Sequence, residues 1–225
     1  MANKKGGVWL VILLLFLFAI LGFLVYLLYQ YIPGEPEELS AIFETPKLET
    51  GNLSYKVKQF YPTMKFNHNS ISYEIDPSCG AEKRKRMKEA FGELSSKVGN
   101  IGFYEGGDDI KVSCSEESEK LEKKANREFF IAGEGGARQI IPTGRYNVIM
   151  EGIILLYGDE KEIKCEWPNV ELHELLHVFG FEHSQDEDSL MYPYLHSCSQ
   201  KLDESIIQDL GELYSQENLA DTCRH

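Results

Sequence analysis

Residues 173–183 read HELLHVFGFEH and hold three of the chain's six histidines. This stretch constrains the fold more than any other, because its side chains can serve one ion only if the backbone turns in a particular way. On a helix, His173 and His177 stand about one turn apart on one face, where two imidazoles can reach a common point. Glu174 is displaced from that pair by one residue, so it is placed to accept a proton rather than to ligate. Gly180 supplies a position where the helix can end in a left-handed conformation. A reversal there would bring His183 back as a third ligand and leave one coordination position open for water. Asn169, after Pro168, is the expected N-cap of this helix.

HExxH alone arises by chance on ordinary helices. The longer pattern HExxHxxGxxH, followed by Met191, resembles the metzincin zinc peptidases. Within them the run HSQDEDSLMYPY, His183 to Tyr194, is similar to the matrixin branch. LDESIIQDLGELY is similar to that branch's closing helix, with Asp203 as N-cap and Ile207, Leu210, Leu213 and Tyr214 in family-like positions. The likeness is carried by residues 169–214 and extends back to about residue 65, where IGFYEGGDDIKV resembles a strand pair of the family.

This resemblance implies an α+β domain with a twisted mixed sheet, an edge strand, an active-site helix, a Met-turn and a C-terminal helix. It implies one zinc ion held by His173, His177 and His183. Glu174 would then be the general base of peptide-bond hydrolysis by a zinc-activated water. Met191 would form the floor of the site, Gly180 would set the position of His183, and Tyr192 and Tyr194 are candidate cleft-lining residues. A strand from residues 130–158 should bind a protein or peptide substrate at its edge. No second, structural zinc is expected, since the other histidines are only His68, His196 and His225. A cysteine-switch propeptide is missing, because no cysteine precedes Cys79. Asp186, Glu187 and Asp188 read as a solvated loop rather than a calcium site. The alternative function is a catalytically inactive, zinc-containing peptide-binding module of the same fold, against which the presence of Glu174 counts.

The N-terminal end is of another kind. From Val8 to Tyr29 the chain is unbroken apolar sequence without a charge, long enough to span a bilayer. Lys4 and Lys5 precede it and PGEPEE follows, so the positive-inside tendency leaves residues 1–7 cytoplasmic and sends the remainder across. The resulting expectation is a short tail at 1–7, a signal anchor at 8–29, a stalk at 30–64 and a peptidase domain at 65–225. The protein would be single-pass in the cell membrane with an extracytoplasmic catalytic domain. A formal net charge of -13 argues against a nucleic-acid partner.

The basic cluster KRKRMK, Lys83 to Lys88, reads as the solvated face of an amphipathic helix over 81–98 whose apolar side is Met87, Phe91, Leu94 and Val98. SISYEID alternates as a half-buried strand, and residues 115–128 read as a charged helical insertion. QIIPTGRYNVIMEGIILLYG supplies strand material broken at Thr143-Gly144 and Glu151-Gly152. Five cysteines lie beyond the apolar run, and some should pair in an oxidising compartment. Cys114 continues an apolar alternation and fits a buried thiol. Cys198 and Cys223 flank the closing helix and are the expected bridge, with other pairings open.

Overall fold

A computed structural model describes residues 4–31, 37–38, 56–115, 132–158, 165–195 and 197–215, with side chains of the first helix described over 13–27. Helix α1 is Lys4–Tyr31, and β1 is the short Glu37–Glu38. The domain proper runs β2 Met64–Phe66, β3 Ser70–Ile75, α2 Ala81–Val98, β4 Gly102–Glu105 and β5 Ile110–Ser115. It continues with β6 Gly133–Pro142, β7 Asn147–Tyr157, α3 Asn169–Val178 and α4 Glu204–Ser215.

The strands form one mixed sheet in the order β1-β6-β7-β5-β3-β4, with β2 also beside β7. β3, β4, β5, β2 and β7 are mutually parallel where they pair, whereas β6 runs antiparallel to β7 and to β1. Parallel neighbours need crossovers, and α2 between β3 and β4 supplies one. α3 lies against β6 and β7, and α2 packs on β4, α3 and α4. The mixed sheet with its antiparallel strand β6 and the two closing helices agrees with the expected architecture.

The core sits between sheet and helices. Tyr73 of β3 stacks on Phe91 of α2 at 4.2 Å, Phe91 meets Phe103 at 4.9 Å, and Phe179 touches Phe66, Phe103 and Tyr214 edge-on. Phe179 follows α3 directly and is wholly buried. The aromatic cluster therefore holds α3 at its C-terminal end. Truncating such a ring to alanine costs about 3–5 kcal/mol.

Several sequence expectations are corrected. Arg86 does not belong to a solvated face: its guanidinium donates to both oxygens of Glu171, which is fully buried, and to the carbonyls of Cys165 and Trp167. Met87, Phe91 and Leu94 do form the apolar side. The chain does not break at Glu151-Gly152, because β7 is continuous there. A Cβ on Gly152 would lie 2.4 Å from Val178 Cγ1, so this glycine serves close approach of α3 to the strand rather than a turn. The turn near Thr143 is present, closed by Thr143 N–H donating to Tyr146 O at 2.7 Å.

Asn169 is the first residue of α3 rather than its cap, and Pro168 takes the cap position. Cys114 is not a thiol but is bonded to Cys79, because the turn after β3 lies beside the end of β5. Cys198 pairs with Cys165, not with Cys223, since the chain after the Met-turn folds back to the start of α3. Cys223, His196, His225 and most of the charged insertion lie outside the described residues. Residues 56–63, assigned to the stalk, already pack on the domain: Val57 is buried and Gln59 bridges to Phe181.

Among the described residues no helix is long and apolar enough to cross a membrane. Within α1 the side chains of 13–27 are all exposed, Leu13 to Leu17 among them.

Candidate metal centre

α3 runs beneath β6 so closely that side chains on the strand would collide with it. A Cβ on Gly135 would lie 2.1 Å from the Glu174 carbonyl oxygen, and one on Gly133 would lie 2.7 Å from Glu174 Cγ. Glycine at these positions lets the backbone of β6 touch the helix, and the Gly135 N–H donates to the Glu174 carboxylate. These two residues are functional neighbours that sequence reasoning missed. Their signal was GEGGAR itself, since glycines within a strand mark close approach of another backbone or ligand.

The helix starts firmly as well as ends firmly. The buried Arg86–Glu171 pair anchors its first turn, and the Cys165–Cys198 bridge ties the preceding loop to the chain beyond the Met-turn. At the other end Gly180 has φ +83°, as its expected role requires, and Met64 Sδ occupies the space a side chain there would need.

His173, His177 and His183 come together. His177 Nε2 lies 3.0 Å from His173 Nε2 and 3.2 Å from His183 Nε2. His173 Nδ1 is 2.7 Å from Leu190 O, and His177 Nδ1 is 2.7 Å from Phe181 O. A carbonyl can only accept, so both Nδ1 atoms carry the proton and both Nε2 atoms present bare lone pairs. The 3.0 Å contact between these two nitrogens therefore cannot be a hydrogen bond. Lone pairs so close are stabilised by a cation between them. Three imidazole nitrogens about 2.0–2.1 Å from a tetrahedral zinc ion would stand roughly 3.3 Å apart. The donor set fits that ion, and these histidines are the group able to hold a metal among the described residues.

Electrostatics agree with this use. Burial lowers the pKa of His173, with partial opposition from the Leu190 carbonyl. Burial and then the neighbouring His173 and His183 hold His177 well below its ordinary value. His183 is lowered to about 4 by desolvation and by His173, although its outer face is exposed. All three are neutral at pH 7, as ligation requires. Glu174 moves the opposite way, up to about 8, because it is buried and near Glu134 and Glu171, with the Gly135 N–H opposing. A cation beside it would draw the carboxyl back toward ionisation.

The Met-turn is fastened to both sides of the centre. Met191 is fully buried, its carbonyl accepts the Ser184 N–H at 2.8 Å, and Leu190 O orients His173. Ser189 Oγ accepts the Met191 N–H and donates to Asp203, while Gln200 bonds Ser189 O and Tyr194 O. Asp203 thus stands just before α4, as expected, but its carboxylate serves the Met-turn. Tyr192 and Tyr194 meet edge-on at 5.9 Å, the first half-buried and the second exposed. His68 lies apart from the cluster, 3.4 Å from Asp109.

The fold and this arrangement are those of a metzincin domain. The family model described as matrixin matches residues 65–215, and the chain belongs to the matrixin family, which are metallopeptidases. No curated protein sequence matches the chain.

Proposed function

We propose that the protein is a membrane-anchored zinc endopeptidase. The observation that carries this reading is the convergence of three imidazole nitrogens, two of them bare of protons, beside a buried carboxyl on the same helix. His173, His177 and His183 would hold one zinc ion per chain. When bound, zinc would supply a Lewis acid that activates water and polarises the scissile carbonyl.

The remaining work belongs to the chain's own groups. Glu174 takes the proton of the attacking water and delivers it to the leaving amine. Gly135 orients that carboxylate by its N–H. β6 is the strand beside Glu174 and offers its backbone to an extended peptide, which is the basis for choosing peptide over other hydrolysable substrates. Met191 closes the floor, and Tyr192 and Tyr194 line the cleft beyond the Met-turn.

The anchor reading rests on the charge-free run Val8–Tyr29 and on the exposure of the side chains of 13–27. Two disulfides in the domain support an oxidising compartment and hence an extracytoplasmic catalytic domain at the cell membrane. The division into tail 1–7, anchor 8–29, stalk and catalytic domain follows from the same reading.

The test uses the full chain in detergent. Glu174→Gln preserves size but removes the base, so zinc content should survive while peptide hydrolysis falls by about 10²- to 10⁴-fold. A glutamine variant as fast as the wild type would sink the assignment of the base. A wild type that binds peptides and never cleaves them would favour the binding-module reading instead.

A further inference from the structure

The turn from α3 to His183 is held from outside by a segment that no ligand belongs to. Glu182 N–H donates to Lys58 O at 2.9 Å and Phe60 N–H donates to Gly180 O at 2.7 Å, so Gln59 and Phe181 face each other as an antiparallel pair. Between these bonds the Gln59 carboxamide is fully committed. Its Nε2 donates to Phe179 O at 2.9 Å and Met64 O at 2.8 Å, and its Oε1 accepts the Met64 N–H at 3.1 Å.

Phe179 O belongs to the last turn of the helix, whose carbonyls have no partner within the helix. Phe181 O is the acceptor that fixes the tautomer of His177. On the far side of His183, Ser184 N–H is bound to Met191 O. His183 is therefore bracketed between residues whose backbone N–H groups are both occupied, one by the N-terminal segment and one by the Met-turn.

We propose that Gln59 is a positioning residue of the metal site, locking residues 56–64 onto the turn that carries His183; this rests on the zinc-peptidase reading above. Without its carboxamide the segment keeps only two backbone bonds to the turn. Phe181 O and His183 then lose their common register with α3. The outer end of the same segment is different in kind. Lys56 pairs with Asp209 on the surface, and this bond does not reach the turn.

The experiment is zinc affinity of the full chain in detergent, by competition with a chromophoric chelator, together with the visible spectrum of the cobalt-substituted protein. Gln59→Met keeps volume and removes every hydrogen bond, and Gln59→Ala removes both. Each is expected to weaken zinc binding by about 10- to 100-fold, as loss of an orienting partner does, and to shift the cobalt bands. Lys56→Ala should change neither. The proposal is overturned if a folded Gln59→Met protein matches the wild type in both readouts, or if Lys56→Ala weakens zinc equally. It is also overturned if Gln59→Met stays unfolded in saturating zinc, since Gln59 would then hold the whole fold. A wild type that binds no zinc overturns the peptidase reading itself, which separates the two failures.

Discussion

Two of the candidate ligands ride on a helix and the third on a turn, and the two supports are built differently. His173 and His177 lie on α3, whose first turn is tied by a buried ion pair and whose last turn is packed into an aromatic cluster. Each has its Nδ1 bound to a carbonyl. His183 sits past a left-handed glycine on an exposed turn and is placed by bonds to its neighbours' backbone. The difference teaches that a ligand can be made rigid by burying its own element or by clamping a loop from both sides. The first route is insensitive to the surface, and the second depends on distant chain.

The largest effect that can break this comparison is removal of the ligands themselves. His177 Nε2 is the common neighbour of the other two nitrogens. His177→Ala should lose zinc by more than the about 10- to 100-fold that an orienting partner is worth, leaving no measurable hydrolysis. His183→Ala should retain weaker zinc binding, because the helical pair stays in place and water can enter at the exposed side. Metal analysis after dialysis against graded chelator would decide. Equal and complete loss in both would mean that the turn is as much part of the rigid site as the helix.

How much of this was legible in the sequence follows the same division. The spacing of His173, Glu174 and His177, the left-handed Gly180, and the return of His183 are local consequences of helix geometry, so they could be read from a few consecutive letters. Met191 was readable only through the resemblance to the metzincins, in which a Met-turn follows such a helix. Arg86, Gln59 and the partners of Cys114 and Cys198 were not, since each acts on residues far along the chain. A basic run looks solvated until one member finds a buried carboxylate. Gly152 was read as a turn because strand glycines and turn glycines look alike in sequence, and only the nearness of Val178 separates them. Asn169 failed as a cap for a subtler reason: Pro168 suits the position before the helix equally, and the difference is one residue.

An intermediate effect probes how tightly the helix is seated. Gly135 and Gly136 are adjacent in β6, yet a Cβ on the first would meet the Glu174 backbone whereas one on the second meets nothing within 4 Å. Gly135→Ala should therefore destabilise the domain by about 1–3 kcal/mol, the usual cost of overpacking, and should lower kcat by displacing the base. Gly136→Ala should leave both unchanged or slightly improve stability. Thermal melts and initial rates of the pair test the close seating of α3. Matching behaviour of the two variants would show that the strand can retreat from the helix without consequence.

The smallest expected effect is on the stability of the metal-free protein as pH changes, and it opposes the helical carboxyl to the three imidazoles. Glu174 has its folded pKa raised to about 8 from an ordinary 4.5, so the folded state favours the protonated form. Its contribution is fully present below pH 4.5 and is lost as pH rises through about 8. The histidines have folded pKa values lowered from 6.5, His183 to about 4. Their neutral forms suit the fold, so the stability linked to them is present above pH 6.5 and is lost as pH falls toward 4. Glu174→Gln removes only the first dependence. At pH 7.5 the metal-free variant should melt higher than the wild type, by about 2–4 °C for each kcal/mol of stability gained in a domain of this size. Near pH 4 the two should coincide, because the wild-type carboxyl is then protonated in both states. Melting curves across this range, with chelator present throughout, provide the check. A variant that melts lower at pH 7.5 would show that the carboxylate is held ionised by partners inside the site. In that case the helix would stabilise charge at Glu174 without help from a cation, and no cation would be needed to ionise the base.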